Sequence, residues 1–298
     1  MSGAPSVLFD APGPQARLRH RIMTVIAGLV LLGLILLIIR GLANPDNNQL
    51  TAEKWQPFLT SEAWLYYYLP GIGATLLAAA VAVVLALILG LLLGMGRLSE
   101  LTPLRWFCSV FVEFFRAVPV LMMMLFAYFG LQQVGLFGPT LIFISVVIGL
   151  TFYNASVIAE LVRAGVGSLP SGQREAGLAI GMTPNQTLAI VLLPQAITAM
   201  LPSMISQLVV ILKDSALGYW INYLELLNQA KSFGTYQANT IPALIVAAVI
   251  YIVLNYGLSR LASLVESRLK TRSKGGAPLS ADTVTGPDAA VGVNTAAF

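Results

Sequence analysis

Three pairs of oppositely charged residues sit in stretches that are otherwise almost wholly apolar: Glu113 with Arg116, Glu160 with Arg163, and the adjacent Lys213 and Asp214. The first two pairs are spaced i, i+3, so on a helix each shares one face. A charge inside a membrane is expensive and by default faces a bundle interior or a wet cavity. Glu113 and Arg116, deep in their run, are therefore candidates for lining a polar path. Glu160 and Arg163, nearer the end of theirs, suit an interfacial pair that closes a helix. Upstream of Lys213 and Asp214, the residues Ser203, Ser206, Gln207 and Val210 fall on the same broad helical face. In a bilayer that face must line a polar cavity or bond to other helices. The chemistry open to such a set is passage of a small polar solute. Bond-making is not indicated: the only histidine, His20, lies in a basic N-terminal tract, and the only cysteine, Cys108, lies in an apolar run. That leaves no nucleophile and base to pair, and no cluster with metal-ligand spacing. There is also no GxxxxGK[ST] phosphate cradle, so energy for active transport must come from a partner or an ion gradient.

A second set of polar residues is gathered in one stretch. Ser171 to Pro194 reads SGQREAGLAIGMTPNQTLAIVLLP and lies between two apolar segments. Gln173, Arg174, Glu175, Asn185 and Gln186 make it too polar to cross a bilayer, while its apolar, helix-prone remainder is more than a linker. Glu175-Ala176-Gly177 is followed after three residues by Gly181, and after nine more by Val191-Leu192-Leu193-Pro194. A short amphipathic helix ended by a glycine turn could lie across other helices and push on a partner.

The elements that position these residues follow from composition. Of 298 residues, 57% are hydrophobic and 10% charged, and mean hydropathy is +0.81; a soluble domain carries roughly 25% charge. The chain is an all-α integral membrane protein with about six transmembrane helices. Predicted spans are Ile22 to Ile39, Gly71 to Met95, Leu104 to Leu131, Leu141 to Val162, Gln195 to Asp214 and Thr240 to Leu261. The first is too long for a usual signal-peptide core, which favours a retained span. Residues 1–16 and 271–298 are predicted to be disordered, and 17–66 to form the N-terminal helix and a polar external loop. Trp55, Trp64 and Tyr66 in that loop, with Tyr67 and Tyr68 just after it, suit an interfacial belt. Along the second span Ala74, Ala78, Ala82, Ala86, Gly90 and Gly94 recur every fourth residue, a ridge that lets another helix come close.

Charge placement sets orientation. With the N-terminus inside, Arg17, Arg19, Arg21, Arg97, Arg105, Arg163, Arg174, Arg260, Arg268, Lys270, Arg272 and Lys274 fall on the cytoplasmic side, against Arg40, Lys54, Lys213 and Lys231 outside. Both termini and the 171–194 segment are thus expected in the cytoplasm. The net charge of +4 is a topology signal and needs no nucleic acid.

With these residues in hand, the 171–194 spacing resembles the cytoplasmic loop of permease subunits of ATP-binding-cassette (ABC) importers. EFFRAVPVLMMMLFAYFGL (Glu113–Leu131), AELVRAGVGSLPSGQREAGLAIGM (Ala159–Met182) and VILKDSALGY (Val210–Tyr219) resemble segments of the polar amino-acid branch, most of all glutamate-type permeases of actinobacterial uptake systems. The likeness implies a five-helix permease core over 67–270 plus one N-terminal helix, in the plasma membrane of a bacterium. It implies a coupling loop over 168–194, in which Gly172, Gln173, Arg174, Glu175, Ala176, Gly177, Gly181 and Pro194 meet the motor. It also implies an ABC ATPase dimer that carries ATP and Mg²⁺, a second and different permease chain, and an extracellular substrate-binding lipoprotein. No cofactor is expected in this chain, and ATP hydrolysis is expected elsewhere. Glu113, Arg116, Ser206, Gln207, Lys213 and Asp214 are the expected substrate path. Gly177 stands where the family usually has Ala; a glycine inside a helix costs about 1 kcal/mol, so looser packing is expected there. An ion-coupled secondary transporter is the alternative, but no inverted repeat is visible to support it.

Overall fold

In a computed structural model, residues 13–44 and 48–273 are described, and every regular element among them is helical. The predicted disordered tails therefore lie largely outside the described residues. At their inner edges the expectation is corrected. Pro14 to Ala16 open α1 (Pro14–Leu42), where a proline's fixed φ suits a first turn, and 271–273 end α9 (Thr240–Ser273). Between them run α2 (Ser61–Leu98), α3 (Thr102–Ala117), α4 (Val120–Gln133), α5 (Gly138–Gly167), α6 (Ser171–Ala179), α7 (Pro184–Ile221) and α8 (Leu226–Tyr236).

Five helices are long and apolar enough to cross a membrane unaided: α1, α2, α5, α7 and α9. The predicted span Leu104 to Leu131 is instead two helices, α3 and α4, with a sharp bend at Val118 and Pro119. Proline removes a backbone donor and pushes the residue before it out of the helical region, so the helix stops there. The two pieces have 16 and 14 residues, about 24 and 21 Å at ~1.5 Å per residue, each short of the ~30 Å hydrocarbon core.

The described chain forms two compact units. One comprises residues up to 84, 118–151 and 211–254. Its core packs Phe58, Ala63 and Tyr68 against Leu226, Ala230 and Phe233 of α8 and Ala243 and Ala247 of α9. Tyr68 is fully buried and its hydroxyl donates to Ala243 O at 3.2 Å. Of the stretch predicted as a polar loop with an aromatic belt, residues 52–59 and 61–68 form helical turns, and Tyr68 belongs to a packed aromatic cluster rather than to a lipid interface. Trp64 and Tyr66 do remain exposed. The stretch 215–238, left between two predicted spans, holds the tight final turns of α7 to Ile221 and, from Leu226 to Tyr236, α8. Glu225, fully buried, caps α8: its carboxylate accepts from Leu227 N at 2.7 Å, Asn228 N at 2.8 Å and the Tyr251 hydroxyl at 2.7 Å. Burial pushes this carboxyl above the usual glutamate range, and the three donated bonds pull against that rise.

The other unit comprises 85–117, 152–210 and residues from 255 on. Here the ridge of small residues works as its spacing predicts. A methyl group on Gly90 would sit 2.7 Å from Ile158 Cβ, and one on Gly94 2.8 Å from Val162 Cβ, so α2 and α5 touch nearly backbone to backbone. Phe111 and Phe115 of α3 pack on Phe152 of α5, with ring centroids 5.9 and 4.9 Å away.

Candidate functional site

The Ser171–Ala179 stretch forms α6, and everything about its ends fixes its direction. Pro170 precedes the first turn. At the other end Gly181 takes φ +88°, Met182 N donates to Gly177 O at 3.1 Å, and Gly181 N donates to Leu178 O at 3.0 Å. These two bonds form a Schellman cap, which needs a left-handed residue that glycine supplies without strain. One residue further, Thr183 and Gln186 form a reciprocal capping box, with Pro184 in the first turn. Hence α7 begins at Pro184, not at Gln195, and Pro194 lies inside that helix, just after a wide π-turn at Thr187–Leu192. The π-turn sits where proline's missing N–H interrupts the hydrogen-bond ladder.

Only Gly177 of α6 is buried. A methyl there would meet Thr187 Cγ2 at 2.6 Å and Thr187 Oγ1 at 2.9 Å. The expectation that Gly177 loosens packing is therefore reversed: its lack of a side chain is what lets α6 lie directly on the first turns of α7. The rest of α6 faces out. Gly172, Gln173, Arg174, Glu175, Ala176 and Leu178 are exposed, as is Ile180 just beyond, and Glu175 makes no hydrogen bond or ion pair among the described residues. Gln195 Nε2 donates to Gln173 Oε1 at 3.2 Å, and Arg174 lies 3.7 Å from Glu100 in the turn between α2 and α3. Between α6 and the helix ends is a cavity of about 300 Å³, lined in part by Glu100, Arg163, Ser171 and Arg174.

Next to this cavity the charged pairs assemble differently from their sequence spacing. Glu160 and Arg163 do pair, with Arg163 Nε donating to Glu160 Oε1 at 3.0 Å. Glu113 and Arg116, however, turn away from each other. Glu113 lies 3.7 Å from Arg97, and Arg116 lies 3.3 Å from Glu160. Arg97 Nη1 also donates to Glu160 at 2.6 Å. One carboxylate thus receives three guanidinium groups. Arg97 is the most buried, with its side chain 8% exposed, whereas Glu113 is 70% exposed. The predicted second span stopped at Met95, short of Arg97. The missed signal was its position three residues after Gly94, on the face that packs against α5.

The polar face of α7 is partly satisfied by its surroundings. Gln207 Nε2 donates to Oδ1 of Asn154, a fully buried residue of α5, at 2.7 Å. The Ser206 hydroxyl donates back to Pro202 O at 3.0 Å. Lys213 is exposed and Asp214 half-buried; no ion pair joins them among the described residues. Ser206 and Gln207 belong to one unit, and Lys213 and Asp214 to the other.

This architecture, apolar helices with one short polar helix held across their ends, has close matches. Residues 86–271 match the model of the family described as binding-protein-dependent transport system inner membrane component. The glutamate transport system permease protein GluD of Corynebacterium glutamicum is 51% identical over 225 residues, 75% of this chain and 82% of that one. The glutamate/aspartate import permease protein GltK of Escherichia coli O157:H7 is 31% identical over 210 residues, 68% and 94% of the two chains. Among solved structures, an amino acid ABC transporter crystallised with histidines superposes with TM-score 0.62 at 31% identity, over 67% of this chain and 93% of that one. The inward-facing MetNI methionine ABC transporter, at 22% identity and TM-score 0.60, shares the fold. The matches give no support to an ion-coupled carrier. This chain belongs to the binding-protein-dependent transport system inner membrane component family and is a permease subunit of an ABC importer.

Proposed function

We propose that the chain imports a polar amino acid, glutamate in the first place, by alternating access driven by ATPase subunits that seat α6. The observation that carries this reading is α6 itself: nine residues opened after Pro170 and closed by a Schellman cap at Gly181, laid on α7 through Gly177, and otherwise exposed. The acidic Glu175 on it has no partner among the described residues. A helix so held is a lever whose outer face is left for another protein. The ATPase dimer closes on ATP and Mg²⁺ and moves α6; the permease pair then exchanges between states open to opposite sides of the membrane. The glutamate assignment rests on the 51% identity to GluD. In this reading α6 and both termini are cytoplasmic, an extracellular binding lipoprotein delivers substrate on the other side, and a second, related chain completes the pore. Lys213 supplies a cation for the anionic side chain, since an unpaired carboxylate is costly in a passage of low dielectric.

The test uses proteoliposomes that contain the whole complex, purified from membranes through this chain. Glutamate uptake that requires hydrolysable ATP and is lost in Glu175→Lys and Gly181→Val, with the variants still membrane-inserted, supports the reading. Uptake that survives both substitutions, or that proceeds with a non-hydrolysing ATPase, overturns it.

A further inference from the structure

The cluster around Glu160 is not explained by a substrate path, because its members are spent on one another. Four of its five residues sit within one or two turns of the ends of α2, α3 and α5: Arg97 in the last turn of α2, Glu113 and Arg116 at the end of α3, and Arg163 in the penultimate turn of α5. Glu160 is the shared acceptor, contacted by Arg97 at 2.6 Å, Arg116 at 3.3 Å and Arg163 at 3.0 Å. The helices it joins are those that α6 can pull. Arg163 lines the cavity against α6, and the chain passes from α5 to α6 through only Ser168, Leu169 and Pro170. Arg174 of α6 faces Glu100, three residues after Arg97.

We infer that Glu160 is a positioning residue that clamps the ends of α2, α3 and α5 into one block, so that motion of α6 moves all three together. The inference rests on the proposed importing function. Electrostatics makes the clamp one-sided. Without the Glu160 charge, three guanidinium groups face one another with only the exposed Glu113 to offset them, and Arg97 is too buried for water to screen it. The helix ends would then part, and α6 would move without carrying the pore. Arginine suits this role at position 97, since its planar fork reaches two carboxylates at once, Glu160 through Nη1 and Glu113 through Nη2.

The experiment measures glutamate transported per ATP hydrolysed in proteoliposomes, per assembled complex. Glu160→Gln should lower this ratio about tenfold, within the usual span of coupling between sites, while Glu160→Asp, which keeps the charge, should restore most of it. If the clamp served only stability, fewer complexes would assemble but each would transport at the wild-type ratio; that outcome overturns the inference. Should Glu160→Gln fail to assemble, Arg97→Lys, which keeps the charge and loses the fork, should still lower the ratio, and an unchanged ratio there refutes the clamp. A wild-type complex with no ATP-dependent uptake would instead refute the proposed function.

Discussion

Gly177 gives the sharpest single perturbation, because two effects of known sign oppose each other there. Replacing it with alanine should help α6 as an isolated helix by about 1 kcal/mol, the ordinary difference in helix propensity. Yet the added methyl would lie 2.6 Å from Thr187 Cγ2 and 2.9 Å from Thr187 Oγ1, both on a buried residue that cannot swing away. Overpacking of this kind costs about 1–3 kcal/mol, so the clash wins by about 1 kcal/mol, roughly a fivefold loss in the population with α6 seated on α7. The decisive comparison is a double-mutant cycle. Thr187→Ala alone removes the two obstructing atoms and a buried hydroxyl that lacks a partner, so it should be nearly neutral. Gly177→Ala alone should reduce uptake several-fold and expose a cysteine placed at position 191 to a membrane-impermeant thiol reagent. The two together should recover wild-type uptake, because the methyl then has room and the helix keeps its gain in propensity. If Gly177→Ala matches wild type, or the second substitution fails to rescue it, then close packing of α6 on Thr187 is not what holds the lever.

Three further outcomes follow from particular contacts. Glu225→Ala removes the acceptor for the Leu227 and Asn228 N–H groups in a buried site, and should cost about 1–3 kcal/mol, read as a lower melting temperature of the complex in detergent. Because burial holds the Glu225 carboxyl above its ordinary value, its contribution is fully present below the unfolded value of about 4.3 and declines as pH rises through the folded one. The melting temperature should fall over that window in the wild type and less so in Glu225→Gln. Asn154→Ala leaves the Gln207 amide without its partner and should lower the melting temperature by a few degrees; an unchanged value would mean that water replaces Asn154 at no cost. Lys213→Ala should raise the KM for glutamate far more than for glutamine, and an equal effect on both would remove Lys213 from recognition of the anionic side chain.

What the sequence made legible was whatever depends on period and composition. The C-terminal end of the four-residue ridge, Gly90 and Gly94, named the face of α2 that lies against α5, because only small residues allow that approach. The positive φ at Gly181 was readable from a glycine placed after a short polar helix. The break at Val118 and Pro119 was also written in the chain, but apolar residues on both sides disguised two helices as one span. The start of α7 was misplaced for a related reason. Asn185 and Gln186 look like loop, although Thr183 and Gln186 together are a helix-starting box.

The charged residues were the least legible, and the reason is physical. Spacing of i, i+3 says which side chains can meet on one helix, and it paired Glu160 with Arg163 correctly. It cannot say that a neighbouring helix offers a better partner. Arg97 is that partner: it lies on the ridge face of α2, so the close approach permitted by Gly90 and Gly94 delivers a buried guanidinium directly to Glu160. With Arg97 there, Glu113 lies 3.7 Å from it, and Arg116 lies 3.3 Å from Glu160. The small-residue ridge and the charged cluster are therefore one design. Glycines bring two helices together, and the contact they create decides which charges pair at the end of the membrane where α6 lies.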